Sequence, residues 1–254
     1  MSSPGQTEKY IIKRTKGGPI CAALIDPEDF SPKQAGEVAR RSIKSGVELI
    51  MVGGSTISSQ RRLDAVVKSV KNHVSVPVIL FPGNVTGVSR NADAILFSSL
   101  LNSTNPYFLI GAQALGAMEV HRAGLEAIPM GYLVFGNSSS TSFIGQVNSL
   151  PPSKPQLALI YAMAAGYLGM RSLYLEAGSG ASEPVSDQTI SLVRRFYNGV
   201  LIVGGGITTE RAATAAAKAG ADIIVIGNLL TRPNYAEELR KIVSATKAAT
   251  ETRA

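Results

Sequence analysis

Short apolar runs alternate along the chain with longer segments in which apolar residues recur at helical spacing. The runs Ile20–Ile25, Glu48–Val52, Val76–Phe81, Asp93–Phe97, Ile128–Phe135, Ser172–Leu175, Val200–Val203 and Asp222–Ile226 read as strands. Most are apolar at nearly every position, as expected of strands covered on both faces in a parallel sheet. Between them, Ser31 with Gln34 makes a capping box, Pro32 suits the first helical position, and Ala35, Val38, Ala39 and Ile43 form one face. Leu63, Val66, Val67 and Val70 form the next face, and Leu157, Ile160, Ala164 and Leu168 form another ahead of Gly169. Thr208 is expected to cap a helix that carries Ala212, Ala213, Ala216 and Ala219 and stops at Gly220.

One unit breaks the rhythm. Only Pro82–Asn91, rich in Gly, Pro and Asn, separates the third strand from the fourth, which is too short for a full crossover helix. A short helix or an extended segment fills that place. Alternating strands and helices with no dividing linker predict an α/β protein: a single (β/α)8 TIM barrel with a modified third βα unit. It spans residues 1–254, with 1–16 as an amino-terminal extension and 247–254 as a frayed tail.

Composition narrows the partners. Twenty-five basic against eighteen acidic residues give +7, which favours phosphates, a membrane surface or nucleic acid. The basic runs lie near the ends (Lys9, Lys13, Arg14, Lys16; Lys241, Lys247, Arg253) without interleaved aromatics, so they read as solvated termini and no nucleic-acid partner is expected. Cys21 is the only cysteine, which rules out an internal disulfide and fits a reducing compartment. Lys13, Arg14 and Lys16 interrupt any secretory apolar core, and no run approaches the ~20 residues of a membrane span. A cytoplasmic protein is expected, at most in transient contact with a membrane surface. His73 and His121 sit near helix ends, lack metal-ligand spacing and read as surface residues.

In such barrels the loops after the strands build the active site. Here those positions are Asp26–Asp29, Gly53–Thr56, Pro82–Asn84, Gly136-Asn137, Glu176–Gly180, Gly204–Gly206 and Gly227-Asn228, dominated by Gly, Ser, Thr, Asn and acids. Glycines after strands seven and eight let backbone N–H groups converge on a phosphate. Asp26 is placed to hold Mg²⁺ with a hydroxyl from Ser55 or Thr56, or else only caps a turn. Glu176 can accept a proton from an attacking hydroxyl. Tyr174 either faces the mouth, where its ring would stabilise a developing carbocation, or packs in the core; alternation leaves both open. The polar stretch Gly136–Asn148 reads as a mobile lid or a plain connection.

Six runs together carry a resemblance: Leu24–Pro27, Val52–Thr56, Leu80–Asn84, Tyr174–Ala181 (YLEAGSGA), Val203–Ile207 and Ile226–Asn228. They resemble geranylgeranylglyceryl phosphate synthase and, next to it, the bacterial heptaprenylglyceryl phosphate synthases. The resemblance implies prenyl transfer from geranylgeranyl diphosphate to the 3-hydroxyl of sn-glycerol 1-phosphate, the first ether bond of archaeal membrane lipids. It implies Mg²⁺ at Asp26 and Ser55. It implies glycerol phosphate bound by Tyr174, Leu175, Glu176, Ala177, Gly178, Ser179, Gly180, Gly205, Gly206, Gly227 and Asn228, with Glu176 and Tyr174 in the catalytic role. Some members carry lysine two residues before the aspartate; Leu24 stands there here, so the chain looks like the larger archaeal branch and binds phosphate through backbone amides. A homo-oligomer is expected. The rival enzyme reading is a phosphosugar isomerase or aldolase, which needs a second acid/base or a Schiff-base lysine, and no lysine lies within the strands. A non-catalytic phosphate- or lipid-binding protein is the other rival.

Overall fold

The structure, a computed structural model, describes residues 3–57, 59–136 and 139–249. Eight parallel strands close a barrel in chain order: β1 Ile20–Ile25, β2 Leu49–Val52, β3 Val78–Leu80, β4 Ala94–Leu100, β5 Glu126–Val134, β6 Ser172–Glu176, β7 Val200–Gly204 and β8 Ile223–Ile226. β1 pairs with both β2 and β8, which removes every sheet edge. Alternate residues point to opposite faces. Leu49, Met51, Ile79, Leu96, Met130, Ile202 and Ile223 fill the barrel, while Ile25, Ile50, Val52, Leu80, Leu133, Leu173 and Ile224 pack under the helices. Two buried faces per strand explain the continuous apolar runs.

Several strand boundaries differ from the expected ones: β3 is shorter at both ends, and β5 starts two residues earlier and stops before Phe135. β4 continues through Ser98 and Ser99 to Leu100, and Ser99 donates to Leu109 O at 2.7 Å. Glu48 stands just outside β2, its N–H donating to Cys21 O at 3.1 Å and its carboxylate reached by Lys247 at the barrel floor.

The helices are α1 Gln6–Thr15, α2 Pro32–Lys44, α3 Gln60–Lys71, α4 Ala112–Arg122, α5 Ser140–Ile144, α6 Pro155–Tyr167, α7 Asp187–Phe196, α8 Glu210–Ala219 and α9 Tyr235–Ala248. The Ser31/Gln34 box forms as expected at α2. The cap of α8 is Thr209, not Thr208: Thr209 is extended and accepts from Ala212 N, while Thr208 turns toward the barrel mouth. The face expected of α6 is wrong. Pro155, Ala158, Ala162 and Ala165 are buried, whereas Ile160 and Leu168 are 58% and 72% exposed. This helix is apolar all round, so periodicity cannot orient it, and its alanines permit the closest approach to the barrel.

No helix occupies the third unit: after β3 the chain runs through turns to β4. Gln60 donates to Val88 O and Ser89 to Asp64 Oδ1, tying this segment to α3, and Lys71 pairs with Asp93 at 2.7 Å.

Residues 3–16 and 247–249, the described parts of the expected extension and tail, pack on the floor of the barrel. Thr7 N and Glu8 N donate to Glu126 at 2.7 and 2.9 Å, which caps α1 against the floor of the barrel. Glu8, buried, pairs with Arg171 at 2.6 Å, and Ile11 enters the barrel core. Arg14 from α1 and Lys247 from α9 both reach Glu48, and Ala249 is buried. Lys9, Lys13 and Lys16 do remain exposed, as do His73 and His121. Arg253, with residues 250–254, lies outside the described residues.

Candidate active site

One cleft opens at the carboxyl end of the strands. Asp26, Ser55, Glu176, Gly205, Gly206, Gly227 and Asn228 all line it. From there it extends beside the helix-free third unit, along Val85, Val88, Phe97, Ala112, Gly116 and Val120. The missing crossover helix is what leaves room for this apolar arm. Among the described residues the lining carries no Lys, Arg or His. An anion at the mouth would thus meet neutral donors, the hydroxyls of Ser179 and Thr208, the Asn228 amide and backbone N–H groups, and any cation that enters with it.

The amides come from strand ends that only glycine can form. Gly205 and Gly206 have φ of +79° and +70°, left-handed conformations that strain other residues. A Cβ at Gly205 would fall 2.3 Å from Glu176 Oε1 and 2.7 Å from Gly178 N. Gly227 differs: its φ is −116°, and a Cβ there would meet nothing nearer than 3.9 Å. Glycine at 227 keeps the mouth open without being required by the backbone. Asn228 is fixed by Ser179 Oγ, which donates to its Oδ1 at 3.1 Å.

Tyr174 and Glu176, two residues apart on β6, both point into the barrel. Tyr174 stacks on Phe81 at 5.2 Å between centroids and meets Tyr132 edge-on at 5.3 Å, and Phe81 meets Tyr132 edge-on at 5.3 Å. The aromatic triad floors the cleft, so Tyr174 both packs in the core and faces the mouth. Glu176 is buried, and Gly178 N donates to its Oε1 at 2.7 Å. Burial lifts its carboxyl from 4.5 to about 6, moderated by the Gly178 amide and by a hydrogen bond from the Tyr174 hydroxyl. At neutral pH it is mostly an ionised, poorly solvated carboxylate, which is what a proton acceptor for a hydroxyl requires.

Across the mouth, Asp26 Oδ1 accepts from Glu28 N at 2.9 Å. Its carboxyl is raised by burial, partly offset by that bond, with Asp29 and Glu28 adding negative charge and Arg62 opposing them. Gly54, which precedes Ser55, leaves the space Oδ2 occupies: a Cβ there would fall 2.1 Å from it. Asp26 and Ser55 offer hard oxygens where negative charge is already in excess, so they fit a small divalent cation such as Mg²⁺. Among the described residues no three His, Cys, Asp or Glu side chains converge as a metal cage. Such an ion would share substrate oxygens, as Mg²⁺ commonly does.

The Tyr174–Gly180 run is not uniform. Tyr174, Glu176, Ser179 and Gly180 line the cleft, whereas Leu175 and Ala177 turn outward under the helices and Gly178 commits its amide to Glu176. Asn137 lies outside the described residues. The rest of the polar stretch forms α5, whose Ser140 and Thr141 each stand 3.2 Å from Ser55 Oγ. Phe81 and Thr141, marked in the sequence only as parts of Leu80–Asn84 and of the polar stretch 136–148, line the cleft, as do Tyr132 and Gln113, which the sequence did not mark. Alternation with Met130 and Val134 would have put Tyr132 inside the barrel.

The model of the PcrB family matches residues 13–246. Geranylgeranylglyceryl phosphate synthase of Thermococcus kodakarensis is 49% identical over 237 residues, 93% of this chain and 94% of that protein. The crystal structure of (S)-3-O-geranylgeranylglyceryl phosphate synthase from Thermoplasma acidophilum, in complex with its substrate sn-glycerol-1-phosphate, superposes with a TM-score of 0.93 at 36% identity, covering 96% of this chain and all of that one. The wild-type enzyme from Thermoplasma volcanium gives 0.93 at 39% identity, covering 96% of this chain and 98% of that one. On fold, sequence and the matched span alike, the chain belongs to the PcrB family.

Proposed function

We propose that the chain joins the geranylgeranyl group of geranylgeranyl diphosphate to the 3-hydroxyl of sn-glycerol 1-phosphate. The observation that carries this reading is a single cleft with three unlike parts. A glycine-lined mouth suits a phosphate, a buried carboxylate suits a hydroxyl proton, and an apolar arm suits a long hydrocarbon tail. The phosphosugar isomerase reading finds no Schiff-base lysine among the described residues of the cleft, and it has no use for the apolar arm.

In the proposed reaction the bond between prenyl C1 and the diphosphate oxygen breaks, and the glycerol 3-oxygen bonds to C1. Glu176 takes the hydroxyl proton, and diphosphate leaves. The rings of Phe81, Tyr132 and Tyr174 shelter the allylic cation, their quadrupoles favouring positive charge. The amides around Gly205 and Gly206 orient glycerol phosphate by its anionic end, so that the hydroxyl meets C1 in a fixed geometry. Asp26 and Ser55 would hold Mg²⁺, which when bound offsets the charge of the diphosphate.

The apolar outer face of α6, with Ile160, Tyr167 and Leu168 at 58%, 84% and 72% exposure, supports self-association into a homo-oligomer. Cys21, reduced and buried, supports a reducing compartment such as the cytoplasm. No helix among the described residues is long and apolar enough to cross a membrane.

Incubation with labelled sn-glycerol 1-phosphate, geranylgeranyl diphosphate and Mg²⁺ tests the reading. A solvent-extractable ether-linked product that needs all three is expected. Failure to form it across metals and pH overturns the proposal.

A further inference from the structure

Asp26 and Ser55 stand at the ends of different strands, and a side chain from α3 ties the loop that carries Asp26. Locally that loop is held by Glu28 N, which donates to Asp26 Oδ1 at 2.9 Å, and by Asp29 N, which donates to Asp26 O at 3.1 Å. Arg62, in the first turn of α3, gathers its carbonyls. Nε donates to Pro27 O at 2.5 Å, and Nη2 donates to Glu28 O at 3.3 Å and Phe30 O at 3.4 Å. Nε also stands 3.8 Å from the Glu28 carboxylate.

The helix that presents Arg62 is itself fixed. Ser59 caps it by accepting from Arg62 N at 3.4 Å, and Leu63, Val66, Val67 and Val70 bury its inner face. On its other side Gln60 and Asp64 hold Val88 and Ser89 of the third unit. α3 follows the β2 end that carries Ser55, and that end runs close against Asp26: a Cβ at Gly54 would fall 2.1 Å from Asp26 Oδ2. Arg62 thus ties the end of β1 to the element that follows the end of β2.

We propose that Arg62 is a positioning residue for Asp26, its guanidinium clamping the loop after β1 so that the Asp26 carboxylate and the Ser55 hydroxyl face one divalent cation across the mouth. This rests on the Mg²⁺ reading above. The planar fork of a guanidinium can bond several carbonyls in a fixed arrangement, whereas a lysine ammonium is a point charge on a flexible stem. Charge alone therefore does not replace Arg62.

The test uses the Mn²⁺ complex of inorganic diphosphate, whose binding to the slowly tumbling protein is read from water proton relaxation. Calorimetry measures sn-glycerol 1-phosphate affinity separately. Asp26→Asn should weaken binding of the complex. Arg62→Lys and Arg62→Gln should each weaken it by about 10–100-fold, the scale for a partner behind a metal ligand, with glycerol phosphate affinity unchanged. In the Asp26→Asn background, Arg62→Lys should cost nothing further. Wild-type binding by Arg62→Lys would mean that the charge alone matters, and it overturns the proposal. So do equal losses from Arg62→Lys in both backgrounds, or a parallel loss of glycerol phosphate affinity. If Arg62→Gln does not fold, Arg62→Lys decides by the same criteria. A wild type that does not bind the complex, or an Asp26→Asn variant that binds it fully, fails the metal reading and takes this inference with it. A response to Asp26→Asn with indifferent Arg62 variants fails only the inference.

Discussion

Replacing Glu176 with glutamine should make the protein more stable, by an amount that depends on pH. The carboxyl titrates at about 6 in the fold against 4.5 in the unfolded chain, principally because burial strips its ionised form of water. A folded value above the unfolded one means that folding favours the protonated form. Below pH 4.5 both states carry the proton and no penalty exists. Between 4.5 and 6 the unfolded chain ionises first and stability drains away. Above 6 the loss is complete, and the difference of 1.5 between 4.5 and 6 corresponds to about 2 kcal/mol. The glutamine side chain would carry no charge, and its amide oxygen can still accept from Gly178 N. The variant should therefore gain about 2 kcal/mol at pH 7.5 and nothing near pH 4.5. For a chain of this size that is a rise in Tm of roughly 4–8 °C at the higher pH. Scanning calorimetry of both proteins at the two pH values reads it. A Tm difference that is the same at both, or one that favours Glu176 at pH 7.5, refutes the assignment of a desolvated carboxylate.

Other substitutions probe the remaining parts. Gly205→Ala forces a left-handed alanine, about 1–2 kcal/mol in backbone strain alone, and pushes its methyl into Glu176, so both Tm and turnover should fall; an unchanged Tm contradicts the geometry. Glu8→Ala removes the nearer of the carboxylates facing Arg171 at the barrel floor and should cost about 1–3 kcal/mol, below a fully buried pair because Glu126 and some water remain, without altering KM; a changed KM at constant stability would show that the floor communicates with the mouth. Gly116→Leu improves helix propensity in α4 by up to ~1 kcal/mol yet fills the apolar arm, so kcat/KM should shift from geranylgeranyl toward shorter allylic diphosphates while Tm holds. An unaltered chain-length preference would place the tail elsewhere.

Much of this was legible in the chain because its signals are local. Continuous apolar runs marked all eight strands, and the glycine, serine and acidic residues just after them marked the mouth. Legibility failed where the signal is long-range or degenerate. β4 hides its last residues because Ser98 and Ser99 are polar, although Ser99 finds its acceptor in Leu109. The orientation of α6 was misread because Pro155–Tyr167 has no polar face to exclude, and only contact with the barrel decides which side is buried. The termini looked solvated because Glu8, Glu48 and Glu126, which tie them down, are separated in sequence from Arg171, Lys247 and Thr7. Thr141 was legible only as one residue of the polar stretch Gly136–Asn148; its place at the mouth comes from Ser55, on another strand end.

The most direct test of the central claim separates binding from chemistry at one residue. Glu176→Gln should bind sn-glycerol 1-phosphate as the wild type does, since the amides around Gly205 and Gly206 are untouched, while single-turnover formation of the ether falls by about 10²–10⁴, the range for loss of a positioned general base. Turnover surviving intact in a variant that still binds glycerol phosphate would mean that the buried carboxylate at the barrel mouth does not take the proton.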